Sequence, residues 1–214
     1  MIKLCVFDLD GTLVNSLADL ADSTNYALKK HGFCTYPVEK YRYFVGDGVP
    51  MLIKRALAEN ASPETESALL NDFNDYYSIH YADRTEAYDG NKELLQEISK
   101  RGIKCAVLSN KPDNFVKIIV KKIFPDFKFA WIQGKIEGFP KKPDPAALNN
   151  ILQSLDIEPE NTLYIGDSNI DIRTGRNAGT QTCGVLWGFR TRAELEKAGA
   201  GHIAAAPGDI LKLL

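Results

Sequence analysis

Short apolar runs recur along the chain and are the first feature that predicts its structure. They are rich in β-branched and aromatic residues and stand at residues 3–8, 103–109, 129–132, 162–166 and 181–186. A weaker run lies at 202–204. Runs that are apolar on both faces are typical of parallel strands buried between two layers of helices. We therefore expect a parallel sheet.

Between these runs, apolar residues recur at helical spacing. We expect helices at residues 91–101, 113–123, 144–154, 169–178, 191–198 and 207–213. Strands that alternate with helices over this length predict a doubly wound, Rossmann-like α/β fold with a parallel sheet.

One segment interrupts the alternation. Residues 15–85 contain no convincing strand, and their apolar positions fit three or four amphipathic helices. We expect an all-helical domain at 15–85, inserted into an α/β core made of residues 1–14 and 86–214.

Composition and charge exclude several classes of protein. The 214 residues are 44% hydrophobic and 25% charged, as in an ordinary globular protein, and the formal net charge is −2. The balance of charge offers no excess of cations for a nucleic-acid backbone. No apolar stretch approaches the roughly 20 residues that span a membrane. The four cysteines show no C-x-x-C spacing, so we expect buried thiols, no zinc site and a cytoplasmic protein.

Polar residues follow several of the predicted strands. The carboxyl ends of parallel strands share one edge of a sheet, where ligands bind in open α/β folds. The residues expected at this edge are Asp8, Asp10, Thr12, Ser109, Asn110, Lys142, Asp167 and Asp171.

Four carboxylates at one edge repel one another unless a cation is present or a group is protonated. A donor set of oxygen atoms without cysteine or histidine suits Mg²⁺. With Mg²⁺ and Lys142 counted, the cluster keeps one excess negative charge.

Four motifs, in order, resemble the signatures of the haloacid dehalogenase superfamily on its phosphatase branch. They are DLDGTLVNS at residues 8–16, Ser109-Asn110, KPDP at 142–145 and GDSNID at 166–171. The resemblance spans nearly the whole chain and includes a helical cap inserted after the first motif. It implies that Asp8 is the nucleophile that forms an aspartyl-phosphate. Asp10 is then the acid that protonates the leaving alcohol and the base that activates water. Because the dehalogenase pattern lacks the second Asp, Asp10 argues against dehalogenation.

The resemblance also implies a set of ligands. Asp8, the carbonyl of Asp10 and Asp167 are expected to bind Mg²⁺, and Asp171 to bind it directly or through water. The alternative for Asp171 is an acid at the N-terminus of a helix, where the helix dipole favours it. Phosphoryl oxygens are expected to contact the residues Thr12, Ser109, Asn110 and Lys142, with a hydrogen bond from Thr12 to Asp10 as a further expectation.

The substrate is implied by segments that resemble phosphoglycolate phosphatases. These are SLADL at 16–20, FVGDGVP at 44–50 and WGFRTRAEL at 187–195. Backbone amides near Gly46 and Gly48 are expected to approach a small ligand, and Arg55 to meet its carboxylate. A plain turn for the glycines and a solvated cation for Arg55 remain open.

Other functions remain open as well. Related capped enzymes hydrolyse pyrophosphate or other small phosphates. A phosphotransferase of the β-phosphoglucomutase type is less favoured, because residues 17–22 lack the histidine of that family's cap. A non-enzymatic relative is expected to have lost Asp8 or Asp10. We therefore expect a small phosphorylated metabolite as the partner, with no nucleic acid and no membrane. We expect either a monomer or a homodimer.

Overall fold

The structure is a computed structural model that describes residues 1–57 and 61–214. The chain forms two compact units. One comprises Met1–Val14 and Ala87–Leu214, and the other comprises Asn15–Glu86.

The elements alternate along the chain as follows. In order they are β1 (Leu4–Phe7), β2 (Val14–Asn15), α1 (Leu17–Lys30), α2 (Val49–Leu57), α3 (Pro63–His80), β3 (Glu86–Ala87), α4 (Asn91–Lys100), β4 (Lys104–Pro112), α5 (Asp113–Ile123), β5 (Trp131–Lys135), α6 (Ala146–Leu155), β6 (Thr162–Gly166), α7 (Asn169–Asn177), β7 (Gln181–Val185), α8 (Arg192–Lys197), β8 (His202–Ala204) and α9 (Pro207–Ile210). Short 3₁₀ helices lie at Val38–Tyr43, Pro159–Asn161 and Leu211–Leu213.

Six of the strands form one parallel sheet in the order β5-β4-β1-β6-β7-β8. This confirms the α/β fold class, and the weakly predicted strand β8 closes one edge. All residues of β1 and β6 are buried, since β1 and β6 lie inside the sheet. Phe7 pairs with Val107 on one side and with Ile165 on the other. The residues that follow these three positions therefore meet at one edge of the sheet.

The second unit is helical. Helices α1, α2 and α3 and the 3₁₀ helix at Val38–Tyr43 account for its described secondary structure, apart from residues of two short strands. Buried Asp19 ties the start of α1 to the end of the unit, because its carboxylate accepts hydrogen bonds from Arg84 N (3.0 Å) and Thr85 Oγ1 (2.6 Å). Strands β2 and β3, absent from the prediction, pair where the chain passes between the units.

The cysteines behave largely as expected. Cys5, Cys105 and Cys183 are buried, whereas Cys34 is exposed, and all four are free. Burial raises the pKa of Cys105 and that of Cys183 to about 12, so these thiols stay protonated. Along the described ranges, no helix combines the length and the apolar character that crossing a membrane requires.

Candidate active site

Three carboxylates converge where β1 and β6 end. Asp8 follows β1, Asp167 follows β6, and Asp171 lies in the first turn of α7. Each offers an oxygen within 4.8 Å of the others, and all three residues are buried. The edge of the sheet predicted from the sequence is therefore the place where these acids meet.

Lys142 neutralises part of this charge. Its Nζ lies 2.9 Å from Asp8 Oδ1 and 2.7 Å from Asp171 Oδ1, and it donates to the Leu108 carbonyl at 3.1 Å. Asn110 fixes the lysine backbone from both sides. Its Oδ1 accepts from Lys142 N (2.8 Å) and its Nδ2 donates to Lys142 O (3.2 Å). Asn110, predicted as a phosphate ligand, thus also holds the segment that carries the lysine.

The electrostatics of the cluster follow from burial. Loss of solvent raises the pKa of Asp8 to about 7, and the charge of Asp171 adds to this effect while Lys142 opposes it. Burial also raises the pKa of Asp167, with further contributions from Asp171 and Asp8. For Lys142, burial lowers the pKa, but the charges of Asp171 and Asp8 outweigh it and raise the pKa well above its ordinary value.

Local backbone structure positions Asp171. Ser168 is the N-cap of α7, and its hydroxyl and the Asp171 carboxylate form a capping box. Asp171 Oδ2 accepts from Ser168 N at 3.0 Å, which leaves Oδ1 for Lys142. Asp171 therefore lies in the first turn of a helix, as the alternative expected, and the same side chain also belongs to the acidic cluster. A Cβ on Gly166 would lie 2.2 Å from Asp171 Cβ, so this close approach requires glycine.

Asp167 is held by a segment that follows β7. Its Oδ2 accepts from Phe189 N at 2.7 Å. A Cβ on Gly188 would lie 2.2 Å from Asp167 Cβ and 2.3 Å from the carbonyl oxygen of Gly11. Thr12 Oγ1 donates to Asp167 Oδ1 at 3.5 Å. Asp167 is thus a partner of Thr12 that the sequence did not indicate, and the hydrogen bond from Thr12 to Asp10 stays a prediction.

The loop after β1 has further supports that the sequence analysis did not identify. Asn91, at the start of α4, donates to Thr12 O (2.8 Å) and Leu13 O (3.0 Å). Trp187 Nε1 also donates to Thr12 O at 2.9 Å. The sequence indicated residues 187–195 only as a segment that resembles phosphoglycolate phosphatases, and it gave Trp187 no role. Its contacts show that it braces the loop that carries the first motif.

Asp10 lies outside the group of three acids and has a cationic partner of its own. Lys111 Nζ lies 3.1 Å from both carboxylate oxygens of Asp10, and the lysine side chain is 4% exposed. Lys111 is absent from the sequence predictions, because β4 was expected to end at Ser109 whereas it continues to Pro112. A lysine directly after a predicted strand-end Ser-Asn was the available signal. Buried lysines are rare unless they are paired. Ser109 is buried as well, and its Oγ accepts from Lys111 N at 3.2 Å.

Gly46, Gly48 and Arg55 belong to the helical unit. Both glycines have a positive φ, 125° and 86°, a conformation that side chains disfavour. Arg55 donates to Phe44 O at 2.9 Å and forms an ion pair with Asp47. Arg55 also borders a cavity of about 580 Å³, which Lys40, Lys54 and several apolar side chains line. Arg55 is therefore a partly buried, ion-paired cation, and its contact with a substrate carboxylate stays a prediction.

The acidic cluster fits a divalent cation. Asp8 Oδ1 receives no hydrogen bond in the part of the chain that the structure describes, since the Lys142 contact lacks hydrogen-bond geometry. The three buried carboxylates offer only oxygen atoms as ligands, and hard cations prefer oxygen ligands. Lys111 completes the balance of charge. When all four carboxylates are ionised, their four negative charges equal the positive charges of Lys142, Lys111 and one divalent ion, and the anionic phosphoryl group of a substrate would then favour a protonated acid in the site.

Comparisons with known proteins agree with this geometry. The family model of the haloacid dehalogenase-like hydrolases matches residues 5–185. The phosphoglycolate phosphatase of Pseudomonas syringae pv. tomato is 35% identical over 191 residues, covering 87% of this chain and 70% of the relative. That of Vibrio parahaemolyticus is 31% identical and covers 100% of this chain and 96% of its own length. A crystal structure of a predicted phosphoglycolate phosphatase from Haemophilus somnus superposes with a TM-score of 0.91 at 29% identity, covering 99% of this chain and 97% of that one.

Proposed function

The chain belongs to the haloacid dehalogenase-like hydrolase family and is a phosphatase, and from this premise we propose that it hydrolyses phosphoglycolate through an aspartyl-phosphate on Asp8. The observation that carries the proposal is the meeting of Asp8, Asp167 and Lys142 at one edge of the sheet. The substrate is proposed from the names of the relatives and from the matching segments of sequence.

Asp8 and Asp10 have different roles in the proposed reaction. An oxygen of Asp8 attacks phosphorus, and the bond between phosphorus and the ester oxygen breaks. Asp10 gives its proton to that oxygen as the alcohol leaves. Asp10 then takes a proton from water, whose oxygen attacks the phosphorus of the aspartyl-phosphate. Inorganic phosphate leaves, and the carboxylate of Asp8 is restored.

The other residues hold charge in place. We propose that Asp8, the Asp10 carbonyl and Asp167 hold Mg²⁺, with Asp171 as a direct or water-mediated ligand. When bound, the ion would lower the repulsion between the carboxylate and an anionic phosphoryl group. Ser109 and Lys142 would contact the phosphoryl oxygens, where negative charge must be stabilised during transfer.

We propose that the helical unit, residues 15–85 of the predicted organisation, serves as the cap that admits substrate. Its candidate ligands are the backbone amides around Gly46 and Gly48 and the guanidinium of Arg55. The positive φ angles of the glycines and the loss of solvent at Arg55 support this role.

Phosphate release by the purified protein tests the proposal. With Mg²⁺, we expect turnover of phosphoglycolate that EDTA and Asp8→Asn abolish. When the wild-type protein reacts with ³²P-labelled substrate and the reaction is stopped with acid, the protein should carry ³²P label that hydroxylamine removes. Asp10→Asn should slow both the formation and the loss of this label, because Asp10 serves both steps.

Three outcomes would overturn the proposal or redirect it. Unchanged activity of Asp8→Asn would exclude the nucleophile. A clear preference for pyrophosphate or a nucleotide in the same panel would replace the substrate. Movement of phosphate between positions of a hexose phosphate would favour a phosphotransferase.

A further inference from the structure

Two buried lysines serve different sides of the candidate site. Lys142 contacts Asp8 and Asp171, on the side of the nucleophile. Lys111 contacts Asp10, the proposed donor of a proton to the leaving group. In an in-line displacement the nucleophile and the leaving oxygen lie on opposite sides of phosphorus. Lys111 is therefore the cation on the side from which the alcohol departs.

Distances limit what this cation can reach. A proton donor lies about 3 Å from the atom it serves, and Lys111 Nζ lies 3.1 Å beyond the Asp10 oxygens. The ammonium is thus at most about 6 Å from the ester oxygen. In a phosphate ester of an α-hydroxy acid, the carboxylate carbon is only two bonds from that oxygen. Its oxygens are three bonds from the ester oxygen, so an ammonium within about 6 Å of that oxygen is close enough to reach them.

We propose that Lys111 binds the carboxylate of the leaving group. The site would then prefer phosphate esters of α-hydroxy acids to those of neutral alcohols. This inference rests on the proposed function, and it names Lys111 as a residue that determines substrate specificity. The small exposed fraction of Lys111, 4%, strengthens such a contact, because a charge-assisted hydrogen bond gains energy when water is excluded.

Arg55 is the rival cation. Its guanidinium is engaged by Asp47 and the Phe44 carbonyl within the helical unit. The sequence offered Arg55 as one of two open alternatives, because it stands in a segment that resembles a cap. By contrast, Lys111 Nζ contacts both carboxylate oxygens of Asp10. Lys111 therefore lies beside the proton donor that touches the ester oxygen in the proposed reaction.

The ratio of the kcat/KM values for two substrates isolates the contact between Lys111 and the substrate carboxylate. We would measure kcat/KM with Mg²⁺ for 2-phosphoglycolate and for ethyl phosphate, which has the same length and no carboxylate. Lys111→Met also disturbs Asp10, but that disturbance affects both esters. We expect the fall for phosphoglycolate to exceed the fall for ethyl phosphate by about 10- to 100-fold, the effect of one charge-assisted hydrogen bond. Lys111→Arg should restore part of the ratio.

Lys117→Met is the matched control, because it removes a lysine that is 59% exposed and paired with Asp113 one helical turn away. It should leave the ratio unchanged. Equal falls for the two esters in Lys111→Met, or no fall, would overturn the inference, and a loss of the ratio in Arg55→Met alone would assign the carboxylate to the rival.

A binding measurement separates this inference from the proposed function. In Asp8→Asn protein with Mg²⁺, calorimetry should show tighter binding of 2-phosphoglycolate than of ethyl phosphate, and Lys111→Met should remove the difference. If the wild-type protein cleaves neither ester, the proposed function fails. The binding difference then decides the role of Lys111 by itself, and equal binding of the two esters would refute it.

Discussion

Replacing Asp8 by asparagine should stabilise the metal-free protein while it removes the proposed nucleophile. Asp8 is buried with Asp167 and Asp171, and its pKa is raised from 3.8 to about 7. At about 1.4 kcal/mol per unit of pKa, ionised Asp8 costs the folded state about 4 kcal/mol. Asparagine has nearly the same shape and carries no charge, so the variant escapes this cost.

The sign of the pH dependence follows from the same values. Because the folded-state pKa lies above that of the unfolded chain, the favourable contribution is complete below about pH 4. It is lost as the pH rises to about 7. The free energy of unfolding of Asp8→Asn, relative to wild type, should therefore be higher at pH 8 than at pH 5 by about 3 kcal/mol.

Urea unfolding in EDTA, followed by tryptophan fluorescence, measures this difference. Both tryptophans, Trp131 and Trp187, belong to the unit that contains Asp8, so the signal reports that unit. Saturating Mg²⁺ should shrink the difference, because a bound cation favours the ionised carboxylate.

Asp209→Asn is the control. Hydrogen bonds from Lys212 and from the amides of Ala206 and Ala205 lower the pKa of Asp209, so its contribution to stability is complete above about pH 4 and is lost only at lower pH. The difference between Asp209→Asn and wild type should therefore be the same at pH 5 and pH 8. A difference between Asp8→Asn and wild type that is the same at pH 5 and pH 8 would refute the electrostatic reasoning.

Two further predictions follow from the geometry. Gly188→Ala should reduce phosphate release at least tenfold and destabilise the protein by roughly 1–3 kcal/mol, because the new Cβ would lie 2.2 Å from Asp167 Cβ. Activity and urea stability equal to wild type would contradict this. The native protein should react rapidly with one equivalent of a thiol reagent, at Cys34, since the other three cysteines are buried. Cys34→Ser should abolish the rapid phase, and a second rapid equivalent would contradict the prediction.

The fold was predictable where pattern and local chemistry agree. Helix α5 begins and ends at the predicted residues, 113 and 123, because Val116, Ile119 and Val120 form one apolar stripe that is buried. The all-parallel sheet followed from apolar runs that are buried on both faces. Strand β4 was predicted to end three residues early, because polar residues at 109–111 do not look like a buried strand.

The sequence predicted which strand ends carry the site residues. It did not predict the ion pairs and hydrogen bonds that join these residues to the rest of the site. Asp8, Asp167, Asp171 and Lys142 come together as expected, since β1 and β6 are neighbours in the sheet. The ion pair of Asp10 with Lys111 depends on how far β4 continues, which the hydrophobic pattern cannot specify. The hydrogen bonds from Asn91 and Trp187 to the loop after β1 join residues far apart in sequence, so they required the tertiary structure.

The strand order has a consequence for the synthesis of the protein. Strand β1 is translated before both of its neighbours in the sheet, because the partners of Phe7 are Val107 and Ile165, 100 and 158 positions downstream. At the usual rate of translation, roughly 10–30 s separate the first strand from its last neighbour. The helical unit, a continuous stretch from Asn15 to Glu86, is complete before either partner exists. The strand that precedes Asp8 therefore emerges with both edges unpaired, and it stays a template for pairing with other chains until its two neighbours in the sheet have been made.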